Sequence, residues 1–118
     1  MRNMGMLIST ALIVIPTVVS AETWTAHTTL EKEKSAGRCA EQAVAYTLDL
    51  TDNTFIATSQ YGKMFSITVP SDGVIKQAYK RVGPMGFWKL EMTGNVKSRE
   101  LAVVVVNWHC YYKLTQDS

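Results

Sequence analysis

The chain has 118 residues, of which 47% are hydrophobic and 19% are charged, and its formal net charge is +2. A chain of this length forms one domain with a modest core rather than two domains. Its 12 basic and 10 acidic residues nearly balance, which excludes the concentrated basic surface of a dedicated nucleic-acid or polyanion binder, so we expect no nucleic-acid partner.

The first 21 residues have the pattern of a cleavable signal peptide. Arg2 gives a positive start, and an apolar run over residues 6–19 follows it. Small residues lead up to Ala21, so we predict cleavage between Ala21 and Glu22. The alternative, a membrane anchor, is disfavoured because the run falls short of the roughly 20 apolar residues that span a bilayer. We therefore expect residues 22–118 to form a single secreted domain without a membrane span, in the periplasm or outside the cell.

Residues 22–42 have the weakest pattern of the mature chain. Residues 22–25 are compatible with a short strand or with a disordered start. Residues 30–34 have helix-forming side chains but almost no apolar face, so any helix there is expected to be short and solvated. This segment is therefore left poorly defined.

The two cysteines of the chain are Cys39 and Cys110. An exported chain meets oxidising conditions, so we predict a structural disulfide between them. The bridge closes a loop of about 71 residues and contributes roughly 4 kcal/mol in the chain-entropy account. The alternative, a reactive or metal-binding thiol, lacks a CxxC motif or a cluster of histidines to support it.

From residue 44 onward, short runs of alternating or β-branched residues are separated by turn residues, the pattern of an antiparallel meander. The predicted strands cover residues 44–50, 54–60, 64–69, 74–79, 87–92, 101–106 and 111–114. Residues 81–86 hold two glycines and a proline without periodicity, which predicts a loop. The run 101–106 has no polar break, which predicts a strand covered on both faces or, alternatively, a surface for self-association.

We therefore expect an all-β fold, a small antiparallel meander of six to eight strands with one disulfide. A barrel and a two-sheet sandwich both satisfy this pattern. Consecutive short turns favour pairing between neighbours in the chain, and a Cys39–Cys110 bridge brings the two ends of the meander together. Both arguments favour the barrel.

No set of residues predicts catalysis, a metal site or a cofactor. His109 and Cys110 are neighbours, and adjacent side chains on a strand point to opposite faces. His27 is the other imidazole, and it lies in the weakly patterned segment. No glycine-rich loop precedes a helix that could receive a phosphate.

Two groups of side chains have alternative roles. Five aromatic residues are expected to fill the interior, although in a barrel they could line a ligand pocket: Tyr46, Phe65, Tyr79, Trp88 and Tyr112. Five basic residues could form a basic strip: Lys63, Lys76, Lys80, Arg81 and Lys89. If strands 74–80 and 87–92 pair, Glu91 lies among these lysines, which favours an ordinary solvated face.

The signal peptide, the two cysteines and three segments at turns and strand ends carry a resemblance. The segments are Tyr61 to Phe65, Ser71 to Lys76, and Leu90 to Val96. Over residues 38–114 the chain resembles small secreted proteins of rhizobium-like alphaproteobacteria. The resemblance implies an exported compartment and a β architecture, and it carries no catalytic residue.

We expect a non-enzymatic binding or interaction module that recognises an envelope protein or a small ligand, for instance an inhibitor that plugs a foreign hydrolase. A small secreted hydrolase that uses carboxylates such as Asp49, Asp72 or Glu91 is one alternative, and a structural envelope component is another.

Overall fold

The computed structural model describes residues 21–83 and 86–118. These residues form eight strands and one short 3-10 helix, so the predicted all-β class is confirmed. The strands are β1 (Ala21–Leu30), β2 (Ala45–Thr51), β3 (Thr54–Ser59), β4 (Gly62–Thr68), β5 (Val74–Gly83), β6 (Gly86–Asn95), β7 (Glu100–Val105) and β8 (Cys110–Gln116). The 3-10 helix (Val106–Trp108) connects β7 to β8.

The strands form one antiparallel sheet in the order β4-β3-β2-β1-β8-β7-β6-β5. The first strand pairs with both β2 and the last strand, β8, so the sheet curls until its two edges, β4 and β5, face each other. Phe65 on β4 and Tyr79 on β5 meet across this seam, with 5.9 Å between their ring centroids. The molecule is therefore a nearly closed barrel, and the barrel rather than the sandwich is confirmed.

Alternation along the strands builds the interior of the barrel. On β2, Tyr46 and Leu48 are buried while Ala45 and Thr47 are exposed. On β3, Ala57 is buried opposite Leu48, and Phe55 is buried opposite Leu50. Every second side chain of each strand thus points inward and meets the inward side chains of the neighbouring strand. The largest fully buried side chains are Phe55, Phe65, Leu48, Met92 and Val96.

The two ends of the barrel differ. We call the base the end that bears the turns 52–53, 69–73 and 96–99. There Trp24 packs on Phe55 at 6.1 Å between ring centroids, and the guanidinium of Arg99 lies 4.2 Å from the centre of the Trp24 ring. Arg99 also donates to the carboxylate of Glu22 at 2.9 Å. The opposite end, which we call the mouth, bears the segments 31–44, 60–61 and 106–109.

Two segments with an open interpretation and one predicted loop are defined by the structure. Residues 21–30 form a ten-residue strand, which is one of the two alternatives for residues 22–25, and residues 32–35 form a turn. The loop predicted at 81–86 was wrong for residues 81–83 and 86, because β5 runs to Gly83, β6 starts at Gly86, and the two glycines are register partners. Pro84 and Met85 lie outside the described residues.

The signal peptide and its cleavage site remain predictions, because residues 1–20 lie outside the described residues. Ala21 and Glu22 are the first residues of β1 and pair with Thr51 and Leu50. Within the described part of the chain, no helix is long and apolar enough to cross a membrane.

Candidate binding site at the barrel mouth

An inner cavity of about 280 Å³ opens at the mouth of the barrel. Its aliphatic lining comes from four segments and consists of Val44, Met64, Leu90, Val103 and Val105. Leu90 and Val103 belong to the buried core, and the other three pack against it. Met64 lies beside a register shift between β3 and β4, where the pairing passes from Phe65 to Lys63.

The two buried hydroxyls in this lining, those of Thr28 and Ser59, already have protein partners. The Thr28 hydroxyl donates to the carbonyl oxygen of Gln42 and accepts from the amide of Val44 at 2.8 Å. The Ser59 hydroxyl donates to the carbonyl oxygen of Gly62 at 3.2 Å and accepts from the amide of Tyr61 at 3.0 Å. Both hydroxyls are therefore satisfied without any ligand, and the cavity wall behaves as an apolar surface.

The two buried tyrosines of the lining are neutral at ordinary pH. The Tyr46 hydroxyl contacts the Met64 sulfur at 3.5 Å, and burial raises the pKa of Tyr46 to about 12. The Tyr112 hydroxyl donates to the carbonyl oxygen of Ala40 at 2.9 Å. Burial and then the charge of Glu41 raise the pKa of Tyr112. Neither phenol therefore supplies a charge to the cavity.

A second, outer cavity of about 470 Å³ adjoins the first. It has the polar side chains of Arg38 and Glu41 on one wall and the indole of Trp108 on another. The inner and outer cavities share part of their lining, namely Gln42, Trp88, Val105 and Tyr112. They are thus consecutive parts of one passage from solvent into the barrel.

Exposed aromatic side chains surround this passage. Tyr61 is 65% exposed, Trp108 is 49% exposed and Trp88 is 41% exposed. The rings of Trp88 and Trp108 pack on each other with 5.1 Å between centroids and a tilt of 49°. Large apolar side chains left in water at the edge of a concave site are more often found at binding surfaces than elsewhere on a soluble domain.

The predicted disulfide builds one wall of the site. Cys39 and Cys110 are bridged, with 5.6 Å between their Cα atoms, and the prediction is confirmed. The bridge ties the segment 31–44 to the start of β8, where the amide of Ala36 also donates to the carbonyl oxygen of His109 at 3.0 Å. Arg38, Glu41 and Gln42 face the cavities because of this anchorage.

The structure divides the five aromatic residues that were expected to fill the interior. Phe65 is buried in the core, and Tyr79 is half-buried against it. Tyr46 and Tyr112 are buried but line the cavity, and Trp88 stands at the mouth. Three of the five therefore line the cavity rather than fill the core. Sequence reasoning missed Arg38, Gln42 and Trp108, which lie outside the strands.

The candidate carboxylates do not converge. Asp49 on β2 accepts from the hydroxyls of Thr23 and Thr51, and Asp72 in the β4–β5 turn accepts from the amide of Val74. Glu91 is the register partner of Ala78 and of Val104, on the outer face of β6. The three lie on different parts of the molecule, so they do not make a two-carboxylate site.

The pairing of β5 with β6 places Glu91 among the lysines, as expected from the sequence. Lys80 and Lys89 are register partners, and Glu91 lies one pair further along the same face, opposite Ala78. The face therefore carries mixed charge.

The histidines are also separate. His27 pairs with Asp117 at 2.8 Å between Nδ1 and Oδ1, and this contact lowers the pKa of Asp117. His109 follows the 3-10 helix with a left-handed backbone. Among the described residues, no group of three or more His, Cys, Asp and Glu side chains could hold a metal ion. In comparisons with known proteins, no family model matches the chain, and no curated protein or solved structure shows significant similarity to it.

Proposed function

We propose that the protein is a non-enzymatic binding module that takes a small apolar ligand into the mouth of the barrel. The observation that carries the proposal is the inner cavity, whose wall is mostly apolar and whose two buried hydroxyls, on Thr28 and Ser59, are already satisfied by the protein. An apolar cavity gains little from water, because water there lacks hydrogen-bond partners, whereas an apolar molecule gains contacts with the wall. The volume of about 280 Å³ lies near the lower end of ligand pockets, which favours a small molecule.

The test uses naphthalene, which is apolar and small, with binding followed by tryptophan fluorescence and by the rise in the melting temperature. Val105 lines both cavities, so Val105→Phe is expected to narrow the passage and weaken naphthalene binding at least tenfold. Val74→Phe is the matched control, since Val74 is exposed at the start of β5 and lines neither cavity. The proposal fails if the unmodified protein does not bind naphthalene, or if both variants bind it equally well.

A protein partner that covers the mouth is the second candidate. The exposed indoles of Trp88 and Trp108 favour it, because tryptophan is enriched among the residues that dominate binding energy at protein interfaces. Trp108 lines the outer cavity but not the inner one. Trp108→Ala is therefore expected to abolish binding of such a partner, while naphthalene still binds in the inner cavity. Loss of naphthalene binding in this variant would favour the small ligand over the partner.

We further propose that the protein acts after export, in the periplasm or outside the cell. The disulfide supports this, because such bonds persist in oxidising compartments. The test is the intact mass of the protein from the envelope fraction of its host. A chain that begins at Glu22 and is lighter than its reduced form by two hydrogens is the expected result. A chain that retains residues 1–21 would contradict the predicted cleavage.

A further inference from the structure

We infer that the ligand is an amphipathic monoanion, with its anionic group on Arg38 in the outer cavity and its apolar body in the inner cavity. The inference rests on the proposed function and adds the chemical class of the ligand. Carboxylates with a short hydrocarbon chain are the simplest members of this class.

The distribution of charge along the passage sets the orientation of such a ligand. Among the residues that the structure describes, those lining the inner cavity include no Asp, Glu, Lys or Arg. A charged group placed there would lose its hydration without gaining an ion partner, which is unfavourable. The charge of any ligand must therefore stay in the outer cavity, and its apolar part must lie inward.

Arg38 is the group best placed to receive an anion. Its guanidinium is exposed and lines the outer cavity. It makes one long contact, 3.5 Å to the carbonyl oxygen of Trp108, and within the described chain its other N–H donors have no protein acceptor. A guanidinium presents its donors as a planar fork that matches the two oxygens of a carboxylate. The side chain is thus available for a bidentate contact.

Glu41 lies in the same cavity and raises the competing possibility of a cationic ligand. Its carboxylate already accepts a hydrogen bond from the amide of Leu30, at 3.0 Å, which holds it against the end of β1. Arg38 has no comparable short contact with the frame. The anion is therefore favoured, because it gains strong hydrogen bonds from donors that the protein leaves unused.

The shared lining gives the ligand a continuous path. Trp88, Val105 and Tyr112 line both cavities, so a chain that starts at Arg38 passes apolar and aromatic surface before it reaches Leu90 and Val103. The Tyr112 hydroxyl donates to the carbonyl oxygen of Ala40 rather than into the passage. The Tyr112 hydroxyl therefore needs no hydrogen bond from the ligand body.

The test compares octanoate, octanol and octylammonium, which share one hydrocarbon chain and differ in the charge of the head group. Binding to the oxidised mature protein is measured by calorimetry. Octanoate is expected to bind about tenfold more tightly than octanol, the difference that a charge-assisted hydrogen bond of about 1.4 kcal/mol gives. In Arg38→Gln this advantage should disappear while octanol affinity stays unchanged. Lys32→Gln is the control, since it removes a charge from the same segment but lines neither cavity.

Each other outcome has its own meaning. Equal binding of octanoate and octanol, or an advantage that survives in Arg38→Gln, would overturn the assignment of the anion to Arg38. Tighter binding of octylammonium would assign the head group to Glu41 instead. If naphthalene binds and none of the three octyl compounds does, the ligand class is wrong but the proposed function stands. If naphthalene also fails to bind, the proposed function itself is wrong.

Discussion

Tyr46 belongs to the buried core of the barrel and also lines its inner cavity. Its ring is buried, its hydroxyl contacts the Met64 sulfur at 3.5 Å, and its pKa is raised from 10.0 to about 12 by burial. Below pH 10 the phenol is neutral in the folded and unfolded states, so its burial carries no ionisation penalty. Above pH 10 the unfolded state loses this proton first, and stability must fall as the pH rises toward 12.

Tyr46→Phe is therefore expected to flatten the alkaline arm of the stability profile. A shift from 10.0 to about 12 corresponds to about 3 kcal/mol of lost stability between those two pH values. The free energy of unfolding is measured by urea titration just below pH 10 and near pH 12 for both proteins. The expected result is a smaller loss in Tyr46→Phe than in the unmodified protein. An identical loss in both would mean that the buried phenol ionises as easily as a free one.

Gly94 on β6 is a second residue whose role is set by its immediate surroundings. Its φ is +132°, and a Cβ atom there would lie 2.1 Å from the carbonyl oxygen of Glu100 and 2.9 Å from the Cα of Leu101. Both atoms belong to the backbone of β7, so they cannot move aside as a flexible side chain does. Glycine is required because the two strands approach each other closely at this point.

We expect Gly94→Ala to destabilise the protein by roughly 3 kcal/mol or more, from the strained backbone and the clash together. Thermal unfolding should show a melting temperature lower by about 12 °C or more. Gly37→Ala is the control, because its added methyl group would meet nothing within 4 Å and its φ does not favour glycine. A control that melts as low as Gly94→Ala would show that the cost is not specific to the contact with β7.

At the level of one element, β7 shows how a strand that is apolar from Leu101 to Val105 is covered on both faces. Leu101 and Val103 lie in the core, with Val103 only 4% exposed. Val104 points to the outer face yet is only 7% exposed. Its register partners are Glu91 on β6 and Tyr111 on β8. The outer burial therefore comes from neighbouring side chains and not from a second layer.

The two faces of β7 predict different responses to the same substitution. Val103→Lys places an ammonium group in the core and is expected to prevent folding. Val104→Lys is expected to fold with a lower melting temperature, because a lysine on the outer face can extend its charged end into water past Glu91 and Tyr111. Circular dichroism and thermal unfolding of both variants test the difference. Loss of folding in both would show that Val104 is covered more deeply than by its lateral neighbours.

A strand can be predicted from the sequence when its own side chains determine its conformation. The strand β2 was predictable because Tyr46 and Leu48 alternate with polar residues, and β3 because β-branched and apolar residues from Thr54 to Thr58 lie between two turns. The strand β1 was not, because most of its residues are threonine, alanine or charged, and Trp24 is the only large apolar side chain before Leu30. Its structure comes from pairing with β2 on one edge and with β8 on the other. Such pairing is a tertiary effect that no local pattern records.

Part of the candidate site was likewise predictable from the sequence, and part was not. Alternation places Tyr46, Leu90 and Val103 on inward positions, so part of the cavity wall was predictable from the strands. Arg38 and Gln42 lie in an irregular segment, where no periodicity indicates which side chain faces the mouth. The disulfide and the hydrogen bonds of Thr28 and Tyr112 place this segment, and these contacts depend on the finished fold.

At the scale of the whole molecule, the two halves of the sheet are joined by pairing between the first strand of the chain, β1, and its last strand, β8. β1 pairs with β8, while β4 and β5 are joined by a short connection and meet through side chains such as Phe65 and Tyr79. The closure is thus made by strands that are far apart in sequence, and its entropic cost is large. The Cys39–Cys110 bridge spans 71 residues and lowers this entropic cost, because it holds the β1–β2 connection near the start of β8 in the unfolded chain as well.

Replacing both cysteines with serine is therefore expected to remove roughly 4 kcal/mol of stability, a large share of the total for a domain of this size. The melting temperature should fall by about 15 °C or more in thermal unfolding.

Ligand binding should weaken as well, because Arg38 and Gln42 reach the two cavities on the bridged segment. The hydrogen bonds from Tyr112 to Ala40 and from Thr28 to Gln42 keep the inner wall in place. Octanoate should therefore lose more affinity than naphthalene. An unchanged melting temperature would show that β1–β8 pairing alone sets the closure of the barrel.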